Sequence, residues 1–291
     1  MRPQVLPLLT SRETPFPVNH SPSVLAFPAL EQADAPVPYY REVGKECQVF
    51  DHAYRQGLPI MLKGPTGTGK SRFVSHMAAR LGRPVVTVPC HDETSAVDLL
   101  GRYLIQGGET LWQDGPVTQA VRQGAILYLD EVAEARSDVI VVLHPLTDFR
   151  RMLVVERHGE VLEAAPGFGL VVSFNPGYQR GLKELKPSTR QRFVGIRFDY
   201  PSAELELEIL RGETQIDVAS GKKLVALAHK VRKVETLGLA EVPSTRLLVD
   251  AARLMRSGLP PRLACQAAIV EPLTDDPEVT SALADLIALA F

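Results

Sequence analysis

Residues 64–71 read Gly-Pro-Thr-Gly-Thr-Gly-Lys-Ser, which puts an amine and a hydroxyl directly behind a glycine-rich turn. Gly64, Gly67 and Gly69 let the backbone turn tightly and aim several N–H groups at one point. Pro65, Thr66 and Thr68 complete that loop. In this pattern Lys70 reaches the β- and γ-phosphates of a nucleotide, and the Ser71 hydroxyl ligates Mg2+. Further along, Ile126-Leu127-Tyr128-Leu129-Asp130-Glu131 is an apolar run that ends in two carboxylates. Asp130 is expected to hold Mg2+ through its water shell, and Glu131 to polarise an attacking water. Phosphoryl transfer needs such groups because its catalysis is mostly positioning and electrostatics. The two motifs together read as an ATPase.

The elements around the motifs must place them at one site. Ile60-Met61-Leu62 is a short apolar run with the character of a buried strand. Phe73, Val74, Met77, Ala78 and Leu81 have helical spacing over Lys70 to Leu81, so the phosphates would meet a helix N-terminus. Helices are also expected over Glu42 to Gln56, Ser95 to Leu100, Val117 to Arg122 and Ser137 to Leu146. Strands are expected at Val85 to Val88, Gly169 to Phe174 and Val194 to Phe198. Residues 102–113 read as a hairpin turning at Gly107-Gly108, and 152–164 as a second hairpin around Gly159. This alternation is that of an α/β domain, a parallel sheet covered by helices on both faces.

After Tyr200-Pro201 the strand signals vanish. Three stripes at helical spacing follow: Leu205, Ile209 and Leu210; Leu224, Leu227, Ala228 and Val231; and Leu247, Leu248, Ala251, Leu254 and Met255. The third is opened by Ser244 as a helix cap, and a last helix is expected from Glu278 to Ala290. Residues 1–38 hold eight of the 23 prolines and no glycine, a composition that propagates neither helix nor central strand. The chain therefore divides into a Pro-rich, disordered arm (1–38), an α/β nucleotide-binding domain (39–200) and a small helical lid (201–291).

Composition bounds the reading. A hydrophobic fraction of 45% and a charged fraction of 23% in 291 residues are those of a soluble globular protein. A net charge of −2 predicts no general attraction to nucleic acid or to a membrane surface. No apolar run approaches the length of a transmembrane helix. Cys47, Cys90 and Cys265 are far apart, odd in number and without C-x-x-C spacing, which points to a reduced cytoplasmic protein without structural zinc.

A P-loop domain with a helical region behind it resembles the AAA+ layout, and that resemblance implies roles for further positions. Asn175 follows the apolar strand 169–174 and is placed to hydrogen-bond the attacking water or the γ-phosphate. Asn175-Pro176-Gly177 is also a turn-forming string. Arg190 and Arg192 sit just before the strand at Val194, where one of them would face the next subunit's nucleotide. Arg192 is the favoured finger, a role that contributes about 10³–10⁵ in rate. Arg246, at the start of a lid helix, is placed to touch the γ-phosphate from the lid. A nucleic-acid motor is the competing enzyme reading. Its basic track would have to be Lys183, Lys186, Arg190 and Arg192, too short a cluster for the task. A scaffold with a dead site is the non-enzyme alternative, and it is at odds with the full set Lys70, Ser71, Asp130, Glu131 and Asn175.

The chain resembles the MoxR branch of AAA+ proteins, and within it the CbbQ/NirQ/NorQ group, over about residues 39–291. The resemblance is carried by Leu62-Lys63-Gly64-Pro65-Thr66-Gly67, Gly115-Pro116-Val117-Thr118, Tyr128-Leu129-Asp130-Glu131-Val132, Leu143-His144-Pro145-Leu146-Thr147-Asp148, Asn175-Pro176-Gly177-Tyr178-Gln179 and Lys186-Pro187-Ser188-Thr189-Arg190-Gln191-Arg192-Phe193. The chain departs from the group's pattern at Thr68, Ala133 and Phe149. The resemblance implies a ring-forming ATPase, a homohexamer in most relatives, that works with a von Willebrand factor A-domain adaptor to remodel a client enzyme. In the NirQ/NorQ branch that client is nitric oxide reductase; in the CbbQ branch it is Rubisco, freed from inhibitory sugar phosphates. Cys90-His91-Asp92 and the string from Arg192 to Pro201 look closer to NirQ/NorQ. The resemblance also makes the 102–113 hairpin a ring-face or pore insertion, with Tyr103 and Trp112 either contacting partners or packing locally.

Overall fold

The computed structural model describes residues 37–176, 185–234 and 239–291. Nearly all of the Pro-rich arm, together with Tyr178, Gln179 and Lys183, lies outside the described residues.

Strand β1 (Ile60–Lys63) runs into the glycine-rich loop and helix α2 (Lys70–Arg80). Strands β2 (Val85–Pro89), β5 (Ile126–Asp130), β8 (Gly169–Phe174) and β9 (Val194–Arg197) join β1 in one parallel sheet, ordered β2-β5-β8-β1-β9. Two hairpins stand apart from it: β3 (Gly101–Gln106) with β4 (Glu109–Asp114), and β6 (Met152–Val155) with β7 (Glu160–Glu163). One face of the sheet packs on α1 (Glu46–Arg55) and α2 through Phe50, Phe73, Val74 and Met77. The other packs on α3 (Ala96–Leu100), α4 (Pro116–Gln123) and α5 (Ser137–Leu143) through Leu99, Val117, Val121 and Val139. Strand β8 is buried along its whole length, the pattern of a central strand covered on both faces.

Several boundaries differ from the expectations, each for a local reason. Helix α1 begins at Glu46 rather than Glu42. The Glu46 carboxylate accepts the N–H groups of Val43 and Gly44 and so holds the preceding residues in a turn, while Glu42 accepts the N–H of Cys47 and caps the helix from upstream. Helix α5 ends at Leu143, and His144–Leu146 tightens into a 3-10 turn. Pro145 has no N–H to continue the α-helical ladder. Ser244 does occupy the capping position of its helix, but its side chain makes no capping hydrogen bond.

After the short α6 (Pro187–Arg190) and β9, the lid consists of α7 (Ala203–Thr214), α8 (Val218–Arg232), α9 (Thr245–Arg256), α10 (Pro261–Cys265) and α12 (Pro277–Ala290). A π turn (Gln266–Val270) carries α10 into the short α11 (Glu271–Leu273). The second and third expected stripes supply much of the lid core, with Leu224, Leu227, Ala228, Val231, Leu248 and Ala251 buried, whereas the first contributes Leu210 alone: Leu205 and Ile209 are half-buried outside it, and Ile209 faces the cavity beside the glycine-rich loop. The first stripe hides a surprise: Glu206 is fully buried on the same helix. Arg232 donates to both of its oxygens at 2.8 Å, and Thr245 donates at 2.7 Å. Arg232 also donates to the Pro243 carbonyl and lies over the Tyr200 ring, 4.2 Å from its centroid. One guanidinium thus ties α7, α8, the start of α9 and the end of the α/β domain together.

Removing one partner of a buried ion pair leaves the other charge uncompensated. Glu206→Ala should therefore lower unfolding free energy by about 3–5 kcal/mol, read as the urea midpoint. A loss under 1 kcal/mol would mean that Arg232 finds water or another acceptor.

Candidate functional site

The sheet order gathers the candidate residues. Strand β8 lies between β1 and β5, so Asn175, the glycine-rich loop and Asp130-Glu131 leave three adjacent strands at their carboxyl ends. Ligands of open α/β sheets bind at such edges. The loop needs its glycines here. A Cβ on Gly64 would come within 2.1 Å of the Phe198 carbonyl oxygen, and one on Gly67 (φ 71°) within 2.4 Å of Ser244. The second contact places the lid directly over the loop.

Lys70 is buried, and its ammonium donates to the carbonyls of Gly64 and Pro65 at 2.8 Å each. Burial pulls its pKa below the ordinary lysine value, against the opposing pull of Asp130 and Glu131. Thr68 braces the loop by donating to the Pro65 carbonyl at 2.8 Å. Ser71 Oγ donates to Asp130 Oδ2 at 3.0 Å, which brings together the two groups expected to hold Mg2+. The other oxygen of Asp130 accepts from the Tyr128 hydroxyl at 2.6 Å and from Ser173 Oγ.

Ser173 also fixes Glu131. Its Oγ accepts the Glu131 N–H at 3.0 Å, and its carbonyl accepts the Val132 N–H at 2.9 Å. Glu131 has φ 53°, a left-handed conformation uncommon for a residue with a side chain and held only by its surroundings. Burial, and then the neighbouring Asp130 charge, raises the Glu131 pKa above the usual carboxylate value. Asn175 Nδ2 donates to Thr66 Oγ1 at 3.3 Å. Its buried Oδ1 has no hydrogen-bond partner among the described residues, so an acceptor is aimed into the site. These donors and acceptors suit ATP and Mg2+: phosphates at the α2 N-terminus and Lys70, the cation at Ser71 and Asp130, and a water at Glu131 and Asn175.

Two cavities meet at Thr66 and Glu131. The first, about 570 Å³, runs from the loop past Arg246 to Tyr40 and Pro201, between the domains. The second, about 750 Å³, opens beside Glu131 and Asn175 toward Tyr200 and Glu241. Arg246 is exposed in the first, close enough to Lys70 for its charge to oppose the ammonium. Arg192 lines neither cavity. It lies 3.8 Å from Asp148, whose carboxyl Arg150 holds down to about 2, with Arg192 adding to the effect. Arg190 is exposed beside it.

Sequence reasoning missed Ser173, Tyr128 and Glu241, which accepts from Thr66 Oγ1 at 3.3 Å. A signal existed for two of them. Ser173 and Tyr128 carry the lone hydroxyls of two otherwise apolar runs, and a buried hydroxyl needs a partner. Ser173→Ala should weaken Mg2+-dependent binding of a fluorescent ATP analogue by about 10–100-fold. Binding in EDTA should change much less, and equal losses in both conditions would make Ser173 a folding residue only.

Comparison with known proteins agrees with this geometry. The family described as AAA domain (dynein-related subfamily) matches residues 59–193, and the CbbQ/NirQ/NorQ C-terminal family matches residues 206–290. Protein NorQ of Paracoccus denitrificans is 59% identical, over 87% of this chain and 94% of its own. Denitrification regulatory protein NirQ of Stutzerimonas stutzeri is 56% identical over 87% and 92%, and protein CbbQ of Hydrogenophilus thermoluteolus 53% over 84% and 92%. Among solved structures, a mutant of Thermotoga maritima RuvB superposes with a TM-score of 0.51 at 15% identity, over 84% of this chain and 70% of that one, a likeness of fold alone.

Proposed function

We propose, for a chain that belongs to the CbbQ/NirQ/NorQ family of AAA+ proteins, that it hydrolyses ATP in a ring of identical subunits to remodel a client enzyme. The observation that carries the reading is the convergence of Lys70, Ser71, Asp130, Glu131 and Asn175 at the ends of three adjacent strands. Lys70 and the loop N–H groups bind the phosphates. Mg2+, held by Ser71 and Asp130, would offset phosphate charge. Glu131 polarises the attacking water, and Asn175 Oδ1 accepts a hydrogen bond from it. Arg246 reaches the γ-phosphate from the lid. Arg192, which lines neither cavity of its own chain and pairs with Asp148, serves the neighbouring subunit. Closure of the lid on the loop then couples the nucleotide state to the position of α7–α9.

Lys70→Ala should abolish ATP binding. Glu131→Gln should bind ATP and hold it uncleaved, with turnover down at least about 100-fold, the scale of a lost general base. Arg192→Ala should bind normally and lose turnover. Normal hydrolysis by Glu131→Gln would sink the catalytic assignment.

The pH profile is a separate check. The base acts only when deprotonated, and the Glu131 pKa is raised. The acid limb of kcat/KM should therefore lie above the ordinary carboxylate value, with activity lost as pH falls through it. A limb at or below that value would mean that another group sets it.

For the client, we favour nitric oxide reductase, activated together with a von Willebrand factor A-domain adaptor. The NorQ and NirQ relatives, at 59% and 56%, stand somewhat nearer than CbbQ at 53%, and NirQ is a denitrification regulatory protein. The test pairs the protein with its adaptor and supplies either nitric oxide reductase lacking its metal centre or inhibitor-bound Rubisco. ATP-dependent gain of metal and activity in the first, absent with Glu131→Gln, supports the proposal. ATP-dependent recovery of carboxylation in the second would replace it with the CbbQ-type reading.

A further inference from the structure

Phe149 is 95% exposed, more than any other large apolar side chain among the described residues. It projects between Asp148 and Arg150 in the turn before β6. Asp148 binds Arg150 at 2.7 Å and Arg192 at 3.8 Å, so the residue next to Phe149 in the chain is tied to Arg150 and to Arg192, and the turn carries basic neighbours on both sides. Nothing in its own chain's two large cavities involves Phe149.

The cavity of about 750 Å³ has the opposite character. Ala133, Leu239, Ala240 and Val242 make an apolar wall, and Glu131, Glu134 and Glu241 give it an acidic rim. Its Arg232 is engaged by Glu206. An aromatic anchor inside a charged ring and an apolar hollow inside the opposite charge are the two halves of one interface.

We propose that Phe149 enters this cavity on a second copy of the chain and thereby delivers Arg192 to the second copy's Glu131 and Asn175. The inference rests on the ring-ATPase reading and assigns its interface. The two faces are formed by different residues, so the contact is head-to-tail, the kind that closes a ring when the rotation between copies allows it. An apolar contact sets the register, and acid–base complementarity around it sets the orientation. The Phe149 side chain is a positioning group, since it acts through Arg192 and touches no phosphate.

The test uses the full chain with a non-hydrolysable ATP analogue in sedimentation velocity. Phe149→Ser should raise the assembly dissociation constant about thirtyfold, the scale of an interface anchor, while thermal unfolding of the subunit stays unchanged. Its ATPase activity should return as protein concentration rises, whereas Arg192→Ala stays inactive at every concentration. The address is tested by mixing Phe149→Cys chains with Ala240→Cys chains and adding a short bismaleimide. The native thiols Cys47, Cys90 and Cys265 are buried, so a linked heterodimer reports this contact. Wild-type assembly by Phe149→Ser, or rings that give no linked product, would overturn the proposal. A wild-type chain that hydrolyses ATP as a monomer and never assembles would overturn the ring reading itself, a distinct result.

Discussion

The pairing of β8 with β1 on one side and β5 on the other is the constraint on which the site depends. A central parallel strand has both its N–H and C=O rows committed to neighbours, so its register cannot drift without breaking two ladders. That register sets Ser173 beside Leu62 and one step past the pairing of Leu129 with Val172. Its hydroxyl then meets Asp130 and the Glu131 N–H, and Asn175 emerges between the loop and the acidic pair. The left-handed turn at Glu131 persists because two hydrogen bonds from Glu131 and Val132 to Ser173 hold it. The stiffness of the sheet is thereby converted into fixed positions for these groups, the preorganisation that the proposed phosphoryl transfer would need.

A second constraint joins the domains. Glu206 and Arg232 are an ion pair with their hydrogen-bonding capacity largely met by Thr245 and Pro243, so the cost of desolvating them is offset locally. The same Arg232 rests on Tyr200, the last residue before the lid. Contacts from the lid to the loop are smaller: Thr66 to Glu241, and Gly67 against Ser244. Two ion pairs outside the loop, Arg41 with Glu208 at 2.9 Å and Arg72 with Glu213 at 3.5 Å, add further ties between the α/β domain and α7.

The β6–β7 hairpin is anchored in the core by buried Leu153 and Val155, with Trp112 of the other hairpin packed against the same cluster, and polar and aromatic contacts join the two hairpins to each other. Arg122 on α4 binds Asp114 of one hairpin and Glu160 of the other. Trp112 stacks on His158 across the hairpins at 4.8 Å, with Tyr103 edge-on to Trp112 at 5.0 Å. Trp112 packs locally, while Tyr103 keeps half its surface in water and Ile105 most of its own. The hairpins thus form one braced projection with polar tips and exposed apolar side chains, Ile105 and Leu111 among them, along its strands.

Much of this was written in the sequence by itself. The glycine spacing at 64–69, the carboxylates at 130–131 and the change from short apolar runs to helical patterning after Tyr200 are local signals. Local chemistry permits few other conformations for them, so the loop, the strands and the positions of α7, α8, α9 and α12 were legible, whereas α10, the π turn and α11 were not foreseen. Exact boundaries escaped too, as where Glu42 rather than a helical carbonyl meets the Cys47 N–H at the start of α1. The tertiary structure alone decided that β8 inserts between two strands that precede it in the chain, and that decision made Ser173 and Tyr128 part of the site. It also decided that Glu206, in a run of alternating acids and leucines, goes inside, because Arg232 arrives from another helix to meet it. Strand order and buried charge depend on partners distant in sequence, and no local pattern encodes which partner will come.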